Sequence, residues 1–156
     1  MALDFLERLA QGPILCDGAM GTYLYSKGVP LDRCFDALNL DEPALVEGIH
    51  REYIAAGAEI VETNTFGANR FKLAEYGLER QVAAINEAGV RAAQRARTGA
   101  GHTVFIAGSV GPLGAHLAPI GTITPEEAFQ AFAEQVQALA EAGADLLILE
   151  TFSDLA

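Results

Sequence analysis

Basic residues and cysteines are both scarce in this sequence of 156 residues. Ten Lys and Arg stand against 21 Asp and Glu, and the net charge of −11 argues against a nucleic-acid or anionic-membrane partner. Cys16 and Cys34 provide no disulfide framework, which is typical of a reducing compartment. No apolar stretch approaches the roughly 18 residues of a membrane helix. Because Asp4 and Glu7 precede any hydrophobic run, no secretory signal is indicated, and a cytoplasmic protein is expected.

Four short apolar runs each end in a cluster of small polar residues. The runs are predicted strands over residues 14–16, 59–62, 103–107 and 146–149, and the clusters that follow them are DGAMGT, ETNTFGANR, GSVGP and ETFSD. Helical patterns lie between successive clusters, so strands and helices alternate. This alternation is typical of a parallel α/β protein, whose chemistry lies at the carboxyl ends of its strands.

The predicted helices have recognisable starts and stops. A short helix over residues 3–9 ends before Gly12 and Pro13. Asp41 is placed to cap the next helix, and Thr124 with Glu127 predicts a capping box. The four later helical segments are expected near residues 41–56, 71–76, 82–93 and 124–143. Residues 22–39 show no clear period and are expected to form a long loop, which is more often functional than accidental.

The sequence contains a weak internal repeat. Residues 56–63 read AGAEIVET and residues 142–151 read AGADLLILET, each joining a helix end to an apolar strand and a Glu-Thr pair. A barrel built from (βα) units would show such a repeat, while chance similarity of two helix-to-strand joints is the alternative. A closed eight-stranded barrel typically takes about 250 residues. One domain is therefore expected, with too few residues to close such a barrel.

Two acidic residues at predicted strand ends are the leading candidates for ligand binding. Asp17 precedes Gly18, where backbone amides can approach a ligand closely, so the pair suits a zwitterion whose ammonium meets the carboxylate. Capping of the turn after the strand is the alternative for Asp17. Glu150 follows four apolar residues and has no Lys or Arg nearby in sequence, which favours a ligand cation. An ion pair with a residue distant in sequence is the alternative.

Other polar residues at the strand ends give weaker indications. Thr63 and Asn64 offer hydrogen-bonding groups after the second strand, and Ser109 does so at the third. The alternative is that they are ordinary turn residues, because turns favour the same residue types. The histidines have no metal-site spacing: His50 and His102 are expected at the surface or half-buried, and His116 could reach the strand ends. Cys16 is most simply a core residue and Cys34 a loop thiol. GSVGP does not match a phosphate-binding glycine motif.

The four clusters in their order resemble those of the homocysteine S-methyltransferase family. Residues 36–70 are especially similar to the homocysteine-binding domain of cobalamin-dependent methionine synthase and of bifunctional homocysteine S-methyltransferase/methylenetetrahydrofolate reductase proteins. The resemblance begins at Ile14 and implies a TIM-type (βα)8 barrel in which zinc binds the homocysteine thiol and a methyl group is transferred to sulfur, giving methionine. Residues 1–156 would be the amino-terminal half of that barrel, with its first four strands and a short helix before them.

The resemblance also implies roles for individual residues. Asp17 and Glu150 match the acids that hold the amino group of homocysteine in the family. The substrate carboxylate would accept hydrogen bonds from backbone or hydroxyl donors of four residues, namely Gly18, Ala19, Met20 and Ser109. The methyl donor stays open, because methylcobalamin, methylated folate, S-methylmethionine and betaine all serve related domains.

The sequence differs from the family in the cysteines that bind the metal. The family's zinc ligands are three cysteines on later strands, and neither Cys16 nor Cys34 matches those positions. We therefore expect this chain alone to bind no catalytic zinc and to be inactive, although it carries much of the amino-acid pocket. A non-catalytic half barrel, or a subunit that needs a complementing half or a downstream cobalamin or folate module, is the alternative. A third possibility is an unrelated small α/β binding protein.

Overall fold

Three parallel strands form the sheet around which the chain is built. The computed structural model describes residues 4–153, with β1 (Ile60–Glu62), β2 (Phe105–Val110) and β3 (Leu146–Leu149) adjacent in that order. Ile60 lies opposite Phe105, and Ala107 lies opposite Leu146. Helices connect consecutive strands, so the predicted class of parallel (βα) units is confirmed.

The strand predicted at residues 14–16 is reduced to a single bridge, so the described residues contain three strands where four were predicted. Cys16 pairs in parallel with Ile60, and the Asp17 N–H donates to the Ile60 carbonyl oxygen at 3.0 Å. The segment occupies the place of a first strand beside β1. It stays short because Pro13 has no N–H to donate and a helix already begins at Met20.

Seven helices lie among the described residues. They are α1 (Phe5–Leu9), α2 (Met20–Ser26), α3 (Leu38–Asp41), α4 (Pro43–Ala55), α5 (Arg70–Ala74), α6 (Val82–Arg97) and α7 (Pro125–Glu141). The helices predicted around α4, α5, α6 and α7 are present, and the predicted capping box at Thr124 forms with Glu127. Leu3 and Asp154, which belong to the predicted first helix and last cluster, lie outside the described residues.

Two predictions before α4 are wrong. The expected long loop over residues 22–39 contains most of α2 and the start of α3, because Leu24 and Leu38 are fully buried and draw their segments into helices. Asp41 does not cap α4. It is the last residue of α3, where its N–H donates to the Ala37 carbonyl, and Glu42 precedes α4 without a side-chain cap.

The sheet has a different apolar layer on each face. On one face Val61 and Ile106 pack with Ile54 of α4, Val90 of α6 and Leu139 of α7. On the other face a second cluster contains Ile60, Phe105 and Ala107, with Phe5, Ile14, Cys16, Leu146 and Ile148 packed against it. Helix α1 covers the amino end of this second face, because Phe5 packs edge-on against Phe105 and Arg8 forms an ion pair with Glu59 at 2.7 Å. The carboxyl ends of the strands are left accessible.

Apolar side chains remain exposed at both sides of the sheet. Leu15 is 57% exposed on one side, and Leu149 is 68% exposed on the other. Within residues 4–153, β3 pairs only with β2, so its second edge carries no partner strand. Such an edge beside apolar side chains is a surface on which further polypeptide can pack. In the same part of the chain, no helix is long and apolar enough to cross a membrane.

Candidate functional site

A cleft of about 600 Å³ opens at the carboxyl ends of the strands. All eight residues that the sequence predicts for substrate binding line it: Asp17, Gly18, Ala19, Met20, Thr63, Asn64, Ser109 and Glu150. They come from four separate segments, so the fold brings together what is dispersed in the sequence. Their contact with a substrate stays a prediction.

The Asp17 carboxyl group faces the cleft from the segment beside β1. Its Oδ2 accepts the Glu62 N–H at 3.0 Å, and the Cys16 Sγ lies 3.5 Å from its Oδ1. Burial, the largest effect, raises the pKa of Asp17 to about 6 despite these hydrogen bonds. The side chain therefore ties two neighbouring segments together rather than only capping its own turn.

Glu150 lies directly after β3, on the opposite side of the cleft. Its Oε1 accepts the Ser109 hydroxyl at 2.6 Å. The basic side chains lining the cleft are engaged elsewhere: Arg33 pairs with Asp41, and Lys72 lies over the Phe66 ring. Among the described residues no Lys or Arg forms an ion pair with Glu150, so the structural ion pair considered as an alternative is not found there.

Glu62 is a further acidic residue of the cleft, which Asp36 and Glu75 also line, and the sequence analysis singled out none of these three. It ends β1, and its Oε1 lies 3.5 Å from the Cys16 Sγ. Burial raises the pKa of Glu62 to about 7, and a hydrogen bond and charge repulsion from Glu150 add to the effect. The internal repeat contains the missed signal, because it aligns Glu62 of AGAEIVET with Glu150 of AGADLLILET.

Thr63 and Asn64 are bonded to the protein rather than directed only at the cleft. The Thr63 hydroxyl lies 2.6 Å from that of Thr65 and accepts the Ser109 N–H at 3.1 Å. Asn64 donates to the Phe35 carbonyl at 2.7 Å and to the Asn39 side chain at 3.1 Å. These bonds fix the ends of β1 and β2, which keeps the carboxyl groups of the cleft in place.

Gly18 and the start of α2 line the cleft beside Asp17. A Cβ atom at Gly18 would lie 3.0 Å from the Tyr53 hydroxyl, whose O–H donates to the Ala19 carbonyl at 3.1 Å. No side chain caps the helix start at Ala19. A side chain at position 18 would therefore require Tyr53 to shift.

Cys16, Asp17 and Glu62 form a group of potential metal-ligand side chains, with their ligand atoms within 4.8 Å of one another. Burial and the two neighbouring carboxyl groups raise the pKa of the Cys16 thiol to about 12, which favours a protonated thiol able to donate to either carboxylate. The group is therefore satisfied without an ion. Cys34 lies in the loop between α2 and α3, as predicted, and it is buried there, whereas His116 is exposed and does not line the cleft.

His50 is fully buried in α4, although it was expected at the surface or half-buried. Neither ring nitrogen has a hydrogen-bond partner in the part of the chain that the structure describes, and burial lowers the pKa of His50 to about 4. The unfolded chain binds a proton at this residue below about pH 6.5, whereas the folded chain does so only below about pH 4. His50 therefore makes the fold lose stability as pH falls through this window.

Replacing His50 with Leu is expected to remove this loss. Between pH 7.5 and pH 5 the variant should gain about 2 kcal/mol of unfolding free energy relative to the parent chain, because one pKa unit corresponds to about 1.4 kcal/mol. Urea unfolding at the two pH values measures the difference. His116→Gln, at an exposed position, serves as the control. An identical pH dependence in the parent and His50→Leu would contradict the role of His50.

Comparison with known proteins identifies the family. The family model described as "Homocysteine S-methyltransferase" matches residues 14–156. The chain belongs to the homocysteine S-methyltransferase family. It is 36% identical over 161 residues to methionine synthase of Mycobacterium leprae, covering 97% of this chain and 13% of that protein. It is 40% identical over 157 residues to homocysteine S-methyltransferase of Escherichia coli, covering 90% of this chain and 50% of that protein.

Solved structures of the family share the fold. The metallated form of the homocysteine methyltransferase MmuM from Escherichia coli matches with a TM-score of 0.76 at 34% identity, covering 92% of this chain and 55% of that chain. Its oxidised form matches with a TM-score of 0.73 at 35% identity, over 89% and 53% of the two chains. The chain therefore spans half of the length of the Escherichia coli homocysteine S-methyltransferase and 13% of the length of the Mycobacterium leprae methionine synthase. The recognition made from the ordered motifs is confirmed.

Proposed function

We propose that this chain supplies the amino-acid pocket of a homocysteine S-methyltransferase, in which a methyl group is transferred to the homocysteine thiol. The observation that carries the proposal is the pair Asp17 and Glu150, which face one cleft without a cationic partner among the described residues. Carboxylates without a cation are costly in a partly buried site, so a ligand ammonium group stabilises them.

The same cleft offers donors for the other end of an amino acid. Gly18, Ala19 and Met20 line the cleft beside Asp17, and their backbone N–H groups are candidate donors to a carboxylate. The Ser109 hydroxyl is engaged with Glu150, so its contribution is to hold that residue in place. An amino acid would lie with its ammonium group at the acids and its carboxylate at these donors.

The zinc of the family is not accommodated by the residues of this chain. A thiol ligand set of three requires three cysteines, whereas the sequence contains two. Within residues 4–153, only Cys16 lies near other potential ligands. When bound, zinc supplies a deprotonated thiol at neutral pH. This chain's residues therefore bind and orient the amino acid, and we infer that thiol activation requires groups that Cys16 and Cys34 do not provide.

A complementing half barrel is the partner that the sheet edges favour. Leu15 and Leu149 lie exposed at opposite sides of the sheet, where a closed barrel would continue in both directions. In this proposal the described residues form a half barrel with Cys16 in the place of its first strand. One partner would then supply the cysteine ligands of the zinc and also bury the exposed leucines.

The exposed leucines are expected to make the isolated chain associate with itself. Light scattering after size-exclusion chromatography should show dimers or larger species at about 100 μM, because exposed apolar patches of this kind drive association. The double variant Leu15→Glu, Leu149→Glu should elute as a monomer. Ile120→Glu is the matched control, since Ile120 is 85% exposed away from the strands. A monomeric parent chain at this concentration would contradict the need for a covering partner.

Binding of the amino group can be tested on Glu150. Glu150→Gln is expected to weaken L-homocysteine binding by about 10-fold, because charge-assisted hydrogen bonds contribute about 1.5–3 kcal/mol. Isothermal calorimetry on the 156-residue chain measures the affinity, with Glu126→Gln on the exposed first turn of α7 as the control. Equal affinities of the parent chain and Glu150→Gln would remove the role assigned to Glu150.

A further inference from the structure

The hydroxyl group of Thr65 is buried behind the cleft and bonds to the backbone of a residue that lines it. Thr65 is fully buried, and its Oγ1 donates to the Ser109 carbonyl oxygen at 2.8 Å. The Ser109 N–H donates to the Thr63 Oγ1 at 3.1 Å, and the two threonine hydroxyl oxygens lie 2.6 Å apart. Both backbone polar groups of Ser109 are therefore bonded to side chains of the segment that follows β1.

The direction of each of these bonds follows from the chemistry of the groups. A backbone carbonyl only accepts, so the single hydroxyl proton of Thr65 is directed at the Ser109 oxygen. A backbone N–H only donates, so the Thr63 oxygen accepts from Ser109 and its own proton remains free. The contact between the two hydroxyl groups then requires Thr63 to donate to Thr65. Thr63, Thr65 and the Ser109 backbone thus form a closed hydroxyl ring, in which each hydrogen bond polarises the next.

The hydroxyl ring replaces backbone hydrogen bonds that β1 does not provide. The Thr63 N–H donates to the Ala107 carbonyl at 2.9 Å, as in a parallel ladder. Continued by two residues, this ladder would bond the Ser109 backbone to the backbone of Thr63 and Thr65. Strand β1 ends before this point, and the Thr65 N–H turns back to the Thr63 carbonyl at 2.8 Å. The threonine hydroxyl groups therefore satisfy the Ser109 backbone, which would otherwise be buried without partners on this side.

The hydroxyl ring fixes the residue that bonds to Glu150. Ser109 is 2% exposed, and its own hydroxyl donates to the Glu150 Oε1 at 2.6 Å. Because both Ser109 backbone groups are bonded within the ring, this hydroxyl is carried on a backbone of fixed orientation. Gln135 of α7 supports the ring from behind, since its Nε2 donates to the Thr65 carbonyl at 2.7 Å. A continuous path of hydrogen bonds thus joins α7 to the acid of the cleft.

We propose that Thr65 is a positioning residue of this site. By closing the hydroxyl ring, it holds the Ser109 hydroxyl on Glu150 and so orients the Glu150 carboxylate toward the ligand ammonium group. This inference rests on the proposed amino-acid pocket and deepens it, because Thr65 is buried behind the cleft and acts through Ser109. A threonine with a merely structural role would contribute to stability without this effect on affinity.

Substitutions at Thr65 test the proposal on the 156-residue chain. Thr65→Val keeps the shape and removes the hydroxyl, so calorimetry at pH 7.5 should show about 10-fold weaker binding of L-methionine, a probe without a thiol. Thr65→Ser keeps the hydroxyl and should stay within about 3-fold of the parent chain. Val61→Ala removes buried atoms from β1 outside the ring, so it controls for lost stability and should bind like the parent chain. Equal affinities of the parent chain and Thr65→Val would overturn the proposal.

Ser109→Ala separates an effect through Ser109 from a general loss of stability. It keeps the backbone, and therefore the hydroxyl ring, but removes the hydroxyl that reaches Glu150, so binding should weaken by about 10-fold. In this background Thr65→Val should cost less than about 2-fold further, because the bond that it supports is already absent. Losses that multiply to about 100-fold in the double variant would overturn the proposal, since Thr65 would then act independently of Ser109.

NMR without ligand keeps this inference separate from the proposed function. In the parent chain the hydroxyl protons of Thr63 and Thr65 should be protected from exchange with water, and Ser109 should occupy a single side-chain rotamer. In Thr65→Val the Thr63 proton should lose its protection and the Ser109 rotamer should become averaged, whereas Thr65→Ser should keep both features.

The measurement on the parent chain needs no substitution, so it remains decisive if Thr65→Val does not fold. Rapid exchange of the Thr65 hydroxyl proton in the parent chain would overturn the hydroxyl ring and the proposal. Protected hydroxyl protons in a parent chain that does not bind L-methionine would instead contradict the amino-acid pocket, and the positioning role of Thr65 with it.

Discussion

Asp17→Asn is expected to weaken L-homocysteine binding by about 10- to 100-fold, in line with the loss of a charge-assisted hydrogen bond. The same change is expected to stabilise the folded chain at pH 7.5. Burial raises the pKa of Asp17 to about 6, so its stabilising contribution is full below about pH 4 and is lost as pH rises through 6. Asn carries no charge to desolvate and keeps an oxygen to accept the Glu62 N–H.

Opposite effects on affinity and stability distinguish a binding residue from a structural one. Calorimetry measures the affinity, and urea unfolding at pH 7.5 and pH 4 measures the stability, whose gain should shrink at the lower pH. Asp41→Asn is the matched control, since Asp41 is exposed and forms a surface ion pair with Arg33. If Asp17→Asn lowered stability and left affinity unchanged, Asp17 would be a structural residue and the ammonium site would be wrong.

Asn39→Ala is expected to destabilise the fold by about 2–4 kcal/mol, because a buried amide loses its partners and leaves a cavity. The Asn39 amide donates to the Asn64 carbonyl at 2.7 Å and to the Ile85 carbonyl at 3.1 Å, which links the end of β1 to α6. Helix α6 packs closely here, since a Cβ atom at Gly89 would lie 2.8 Å from the Asn39 amide nitrogen.

The measurement for Asn39 is urea unfolding followed by circular dichroism. Leu40→Ala on the same short helix is the control, because Leu40 is 40% exposed and should cost about 1 kcal/mol or less. A cost for Asn39→Ala no larger than that of Leu40→Ala would show that the amide network does not hold the strand end. The site would then need another explanation for the fixed position of Asn64.

The elements that sequence reasoning predicted well are those determined by local signals. Helix α7 begins at the capping box of Thr124 and Glu127, and β3 covers the predicted residues 146–149. Apolar runs and caps are local, so neighbouring residues suffice to find them. The order of the strand-end clusters likewise located the cleft before any distance was known.

The errors arose where burial by distant residues decides the structure. Helices α2 and α3 form because Leu24 and Leu38 are buried against α4, and the local period of residues 22–39 is too weak to show it. His50 is fully buried in α4, although its polar residue type suggested the surface. Glu62 was missed because its neighbours in the cleft, Cys16 and Asp17, lie on a distant segment of the chain.

The central claim is that the chain recognises the amino group of its ligand but not the thiol. Calorimetry on the 156-residue chain at pH 7.5 with L-homocysteine, L-homoserine and 4-mercaptobutyrate tests it directly. The account predicts affinities for the first two within about 3-fold, and binding of 4-mercaptobutyrate, which has no amino group, at least about 10-fold weaker. Binding of 4-mercaptobutyrate as tight as that of L-homocysteine, with L-homoserine much weaker, would contradict the account.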